Sequence, residues 1–219
     1  EGTQNDWVFD SNVGWIKGTD QDSAYQSWMW KRGAGFDVVT YKGDGATSQT
    51  LRHSLGRTPE MIWVKCRDSS GDWFVYNKGL DGGTNPATHY LTVNNDDEEA
   101  DYNAIWNDTA PTSTQFTVGN YSQVNGNNNE FIALLFASVD GISKLGYYTG
   151  TSSNPSVTIT TGFSPRFLLI KRVDAVRDWC MFDTVRGIGS GSNDYKLRLN
   201  SNAAQSNGQF VDVTSTGFT

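Results

Sequence analysis

The sequence predicts an all-β protein of two tandem β-sandwich or jelly-roll-like units related by an internal repeat, and three observations predict it. Short motifs recur at one spacing, the 106 positions that separate Gly56 from Gly162. Runs of alternating apolar residues are divided by turn-forming clusters such as Ser69-Ser70-Gly71-Asp72 and Asn125-Gly126-Asn127-Asn128, the chemistry of strands joined by tight connections. The 219 residues include 23 Gly, only 5 Pro and 13% aromatic side chains, and no window keeps an apolar 3.6-residue period for three turns. That mixture suits strands and turns rather than helices.

The repeat carries most of the weight, because many matches at one offset are hard to obtain by chance. Gly35-Phe36 matches Gly141-Ile142, and Gly56-Arg57-Thr58-Pro59 matches Gly162-Phe163-Ser164-Pro165. Ile62-Trp63-Val64-Lys65 matches Leu168-Leu169-Ile170-Lys171, and Asp72-Trp73 matches Asp178-Trp179. Leu91, Val93 and Asn94 match Leu197, Leu199 and Asn200; after a small deletion Thr112-Ser113-Thr114 matches Thr214-Ser215-Thr216. The period far exceeds that of a solenoid, so each unit holds several strands.

The units are expected at 33–139 and 140–219, behind an N-terminal segment 1–32. In the first, strands are expected at 36–41, 61–66, 73–77, 90–93, 115–118 and 131–137. In the second they are expected at 144–148, 156–160, 167–171, 179–182, 196–199 and 209–213. The second unit reaches Thr219 without a counterpart of Phe131-Ile132-Ala133-Leu134-Leu135-Phe136, whereas Ser27-Trp28-Met29-Trp30-Lys31 aligns with 133–137. A strand at 26–32 is therefore expected to complete the second sheet; the alternative is a fragment whose last strand lies beyond Thr219.

Alternation along 61–67 and 167–171 places the Ile/Val set inward and Lys65 and Lys171 outward. Candidate ligand-binding residues are Trp73, Trp106 and Trp179 together with Asp96, Asp97 and Asp101. Aromatic faces stack on sugar C–H faces while acids bind hydroxyls; packing at a strand start is the plainer role for the same tryptophans. A ligand site is expected on long polar connections such as 79–88 and 94–106 rather than on strand faces.

Several classes lose support. Net charge is −7, so the basic footprint of a nucleic-acid-binding protein is missing. Cys66 and Cys180 have no zinc-ligand spacing and read as buried free thiols. The run Asp96-Asp97-Glu98-Glu99 lacks the alternating acids and central Gly of a calcium loop, so no cofactor or metal is expected. No apolar run is long enough to span a membrane. His53 and His89 have no repeat partners, no nucleophile elbow or phosphate-cradling loop is present, and no acid pair stands out among the 24 Asp and Glu. The expectation is a non-enzyme.

Four stretches resemble a repeat-domain family of phage tail-fibre proteins from marine and cyanobacterial viruses. They are 27–41 (Ser27-Trp28-Met29-Trp30-Lys31-Arg32-Gly33 through Tyr41), 55–65 (Leu55-Gly56-Arg57-Thr58-Pro59 through Lys65), 106–113 (Trp106-Asn107-Asp108-Thr109 through Ser113) and 141–146. The resemblance covers 28–219 and implies an extracellular virion location, host attachment and no catalytic residues. The expected function is a tail-fibre or surface adhesin that binds a host-surface glycan or receptor. Its expected partners are other virion proteins and copies of itself. The alternatives are a structural virion component such as a shaft, collar or capsid decoration, and a polysaccharide depolymerase.

Overall fold

The computed structural model describes residues 8–11, 14–16, 29–151, 157–189 and 193–219. The chain divides into two compact units, Glu1–Lys31 and Arg32–Thr219. In the first, β1 (Val8–Ser11) pairs antiparallel with β2 (Gly14–Ile16). The pairing expected for 26–32 lies partly outside the described residues, and its described part, 29–32, contains no strand.

The first half of Arg32–Thr219 contains β3 (Phe36–Lys42), β4 (Gln49–Arg52), β5 (Met61–Cys66), β6 (Trp73–Asn77), β7 (His89–Thr92) and β8 (Ala100–Asp101). These are followed by α1 (Asn103–Trp106), β9 (Gln115–Val118), α2 (Ser122–Asn125) and β10 (Glu130–Phe136). Six of the strands form one antiparallel sheet in the order β3-β10-β5-β6-β7-β8, and β4 pairs with β9 beside it. The second half adds β11 (Ile159–Thr160), β12 (Phe167–Ile170), β13 (Cys180–Asp183), β14 (Asp194–Arg198), β15 (Ser206–Gly208) and β16 (Gly217–Phe218). Among the described residues these form a sheet β12-β13-β14-β15 and a separate pair β11-β16. The protein is mostly β, in several antiparallel sheets with a few one-turn helices.

The last strand of the first half occupies the middle of its sheet. In β10, Phe136 lies opposite both Phe36 and Met61, and Phe131 opposite both Tyr41 and Cys66. A central strand buried on both faces reads as an unbroken apolar run, and Phe131-Ile132-Ala133-Leu134-Leu135-Phe136 is one. Phe131, Ala133 and Leu135 enter a core with Ile62, Val64, Cys66, Phe116 and Trp106. On the other face Phe136, Trp63, Val75 and Leu91 meet Trp179, with Leu134, Leu169 and Leu199 packed around them. That second core joins the two halves. A smaller third core holds Leu168, Phe182, Ile188, Val211 and Phe218.

Covering both faces corrects the inside-outside assignment for β5, where Trp63 is only 8% exposed although it alternates with the Ile62/Val64 set. Lys65 and Lys171 are half-buried rather than exposed. Each lays its stem along the sheet and turns its ammonium to carbonyls, as long cationic side chains do. The Lys65 ammonium donates to Cys66 O and, at 2.6 Å, to Ser69 O. Lys171 donates to Arg172 O at 2.7 Å and Asp96 O at 3.2 Å. The strand expected at 144–148 is irregular, and that expected at 209–213 is reduced to a single bridge from Val213 to Phe218.

Candidate functional site

Trp106 and Trp179 do not form the exposed platform expected of them. Trp106 closes α1 inside the first core and is 1% exposed. Trp179 is 4% exposed, and its indole N–H donates to Thr92 O across the seam at 2.8 Å. Trp73 is half-buried against the same seam. A stacking face must meet solvent, and these rings spend theirs on packing worth about 1.5–3 kcal/mol for each large apolar side chain.

The acidic connection is also put to another use. Glu99 N donates to Val173 O at 2.8 Å, Arg177 N donates to Asp96 O at 2.8 Å, and a Glu99 carboxylate oxygen accepts from Asp81 N at 2.9 Å. Residues 96–99 therefore tie the first half to the second through their backbone, while the Asp96 and Asp97 side chains stay exposed. Among the described residues no three His, Cys, Asp or Glu side chains gather as a metal-binding group.

The structure gathers instead three tyrosines that the sequence scatters. Tyr102 precedes α1, Tyr121 precedes α2, and Tyr90 lies on β7. Their positions follow from backbone ties: Tyr102 N donates to Thr88 O, Tyr121 N to Ala104 O and Gly119 N to Ile105 O, at 3.0, 3.0 and 2.7 Å. A Cβ on Gly119 would stand 2.3 Å from Ala104 O, so only glycine admits this approach. Tyr102 meets Tyr121 edge to face at 5.7 Å, and Phe74 underlies both Tyr121 and Tyr90 at 5.5 Å. Tyr102 is 44% exposed.

Acids border this aromatic ladder. Burial first, then neighbouring Tyr121, Asp97, Asp72 and Tyr102, push the Tyr90 phenol above its ordinary range. Asp72 accepts from Asn94 Nδ2 at 2.7 Å, and its own N–H donates to Gln123 Oε1 at 2.8 Å. Asp101, on β8, pairs with His89 beside Tyr90. Of the six residues expected at a site, only Asp97 thus borders the cluster of Tyr90, Tyr102 and Tyr121; Asp101 is exposed opposite His89, on the other face of the strand from Tyr90. An exposed ring such as Tyr102, beside carboxylates and an amide, can stack on a pyranose while the polar groups bind its hydroxyls.

A mostly β protein with several antiparallel sheets and few short helices is the class these observations define. Residues 9–219 match the family described as a domain of unknown function, DUF7483, and the chain belongs to that family. No curated protein and no solved structure matches the chain.

Proposed function

We propose that the chain is a non-catalytic adhesion module of an extracellular viral fibre, binding a glycan or similar hydroxyl-rich surface ligand at Tyr90, Tyr102 and Tyr121 with Asp72 and Asp97. The observation that carries this reading is the exposed Tyr102 ring, set edge to face on the half-buried Tyr121, with half-buried Tyr90 on the same Phe74 support and acids beside it. The resemblance to tail-fibre domains supports the virion setting. Glycan-array binding by the full chain tests it. Tyr102→Ala should lower the affinity for any bound glycan about tenfold, the loss of one stacked ring, with the fold retained and a melting temperature lowered by only a few degrees. Absence of binding across host-surface glycans and receptors would overturn the reading, and release of reducing ends would replace it with hydrolysis.

A specific observation favours a structural role alongside adhesion. The halves 33–139 and 140–219 read as two copies of one unit, because their local bonds recur at the repeat spacing. Trp73 N donates to Asn94 Oδ1 at 2.9 Å, and Trp179 N to Asn200 Oδ1 at 2.8 Å. Asn94 Nδ2 donates to Asp72, as Asn200 Nδ2 does to Asp178, at 2.7 and 3.0 Å. Val93 N donates to Trp73 O and Leu199 N to Trp179 O, both at 3.0 Å. Gly56 and Gly162 share the left-handed region, with φ of 74° and 89°. A unit that packs its neighbour through one sheet face suits a shaft as well as an adhesin.

A further inference from the structure

The tyrosine cluster of the first half is electrically one-sided. After burial, the groups that push the Tyr90 phenol up are Tyr121, Asp97, Asp72 and Tyr102, and none of them is a cation. Among the described residues neither Asp72 nor Asp97 enters an ion pair. Lys171 also feels Asp97, but its ammonium is spent on the Arg172 and Asp96 carbonyls. The same place in the second half is built the other way. At the repeat spacing Tyr90 corresponds to Lys196, Thr92 to Arg198, Phe74 to Cys180 and Asp72 to Asp178. Strand pairing agrees, since Phe74 lies opposite Thr92 and Cys180 opposite Arg198. There Arg198 donates to the Asp178 carboxylate at 2.6 Å, and the Lys196 ammonium stands 4.1 Å from the centre of the Phe210 ring. An acid and a ring of the second half thus each hold a cation of the protein's own. Among the described residues, the matching acid and the tyrosines of the first half hold none.

We infer that the first half takes its cation from the ligand: the sugar bound at Tyr102 carries a free, protonated amine. This rests on the glycan reading above and narrows it from hydroxyl-rich ligands in general to amino sugars. Two physical effects act together. An aromatic face is the negative pole of its quadrupole and attracts an ammonium within about 6 Å of the ring centre. The exposed Asp97 and the half-buried Asp72 add carboxylate charge at the same place, and hydrogen bonds between ionised partners are roughly twice as strong as neutral ones. A sugar that offers hydroxyls alone uses the stacking face and leaves the charge idle, whereas an acidic sugar is repelled. Acetylating the amine removes its charge, so the site should discriminate between a free amine and its amide. One amine site per chain is expected, because Lys196 and Arg198 take the equivalent place in the second half.

The test is calorimetric titration of the full chain with a tetrasaccharide of glucosamine and with its N-acetylated form, in slightly acidic buffer where the amine is charged. The free-amine form should bind at one site per chain and about tenfold more tightly than the acetylated form, and added salt should narrow that gap. Tyr102→Ala should weaken both forms. Asp97→Asn, a change at an exposed side chain, should weaken only the free-amine form, about threefold, with its melting temperature as the check on folding. Equal affinities, or tighter binding of the acetylated form, would overturn the inference; if Tyr102→Ala still weakens both, the glycan reading stands without it. Binding of neither form would also overturn the inference, and the glycan array then decides the wider reading separately. Amine binding indifferent to both variants would mark a general attraction to an acidic chain and overturn the site. A tetralysine peptide that binds at Tyr102 as tightly as the amino sugar would make charge alone the determinant and overturn the sugar as ligand.

Discussion

The six-stranded and four-stranded sheets start from similar strands and end with different cores. In the first, β5 is flanked by β10 and β6, and Ile62, Val64 and Cys66 are each at most 1% exposed. In the second, β12 has β13 on one side, Leu168 is 8% exposed, and Leu169 and Ile170 are half-buried. The difference traces to one central strand. β10 supplies Phe131, Ala133 and Leu135 to one core and Phe136 to another, so its side chains are what deepen the first half. Sheet completeness, more than strand sequence, sets burial here.

Hydrogen exchange should expose this contrast most strongly. In monomeric protein, alternate amides of β12 should exchange several orders of magnitude faster than those of β5, because opening the outer edge requires no global unfolding. Equal protection of the two strands would break the comparison. Replacing the tryptophan at the seam comes next. Trp179→Ala should cost about 3–5 kcal/mol, with a smaller loss for the half-buried Trp73→Ala, measured by denaturant titration.

Acid should act on both halves, through Asp37 and Glu60 in the first and through Asp178, which the Asn200 amide and Arg198 hold below its ordinary range, in the second. Burial raises the Asp37 carboxyl, but hydrogen bonds from Ser54 N–H, the Arg32 guanidinium, the Ser54 hydroxyl and Val38 N–H outweigh it and hold the group below its ordinary range. Glu60 is likewise raised by burial and lowered further by Lys78 and by the Ser138 hydroxyl and N–H. Both folded pKa values lie below the unfolded ones, so their stabilisation is present above the ordinary carboxylate range and is lost as pH falls through the folded values. At the repeat spacing these positions are Ser143 and Arg166, which supply no such linkage. Melting temperature should therefore fall on acidification below about pH 4, and Asp37→Asn should flatten that slope while lowering stability at neutral pH. The smallest effect should come from Asn94→Ala and Asn200→Ala. Each removes an equivalent bridge and should cost about 1 kcal/mol; a clear inequality would show that the matching bonds carry different loads.

Much of the first half was legible because its strands are long and apolar. Met61–Cys66, Trp73–Asn77 and Gln115–Val118 have the expected bounds. Gln49–Arg52 escaped notice since one leucine among polar residues carries no periodic signal, and it is held by pairing with β9. The stretch 144–148 inherited a strand assignment from its repeat partner, yet the ladder that holds β3 comes from β10. Burial of Trp106 and Trp179 depends on which sheet face is covered, which alternation alone does not say. The tyrosine cluster was hidden for another reason. Tyr90, Tyr102 and Tyr121 are far apart in sequence and meet only through the Gly119 approach and the two one-turn helices.

The central place of β10 also bears on how the chain is made. Phe36 and Met61 leave the ribosome long before Phe136, the residue they both face. Until then β3 and β5 each present a bare edge, and the loop that joins them to β10 spans nearly the whole half. Contacts of such long sequence separation close slowly, and the waiting edges are the surfaces through which nascent chains misassociate. Synthesis rate between residues 66 and 130 therefore becomes a determinant of yield, and a pause there would prolong the exposure of a half-built sheet.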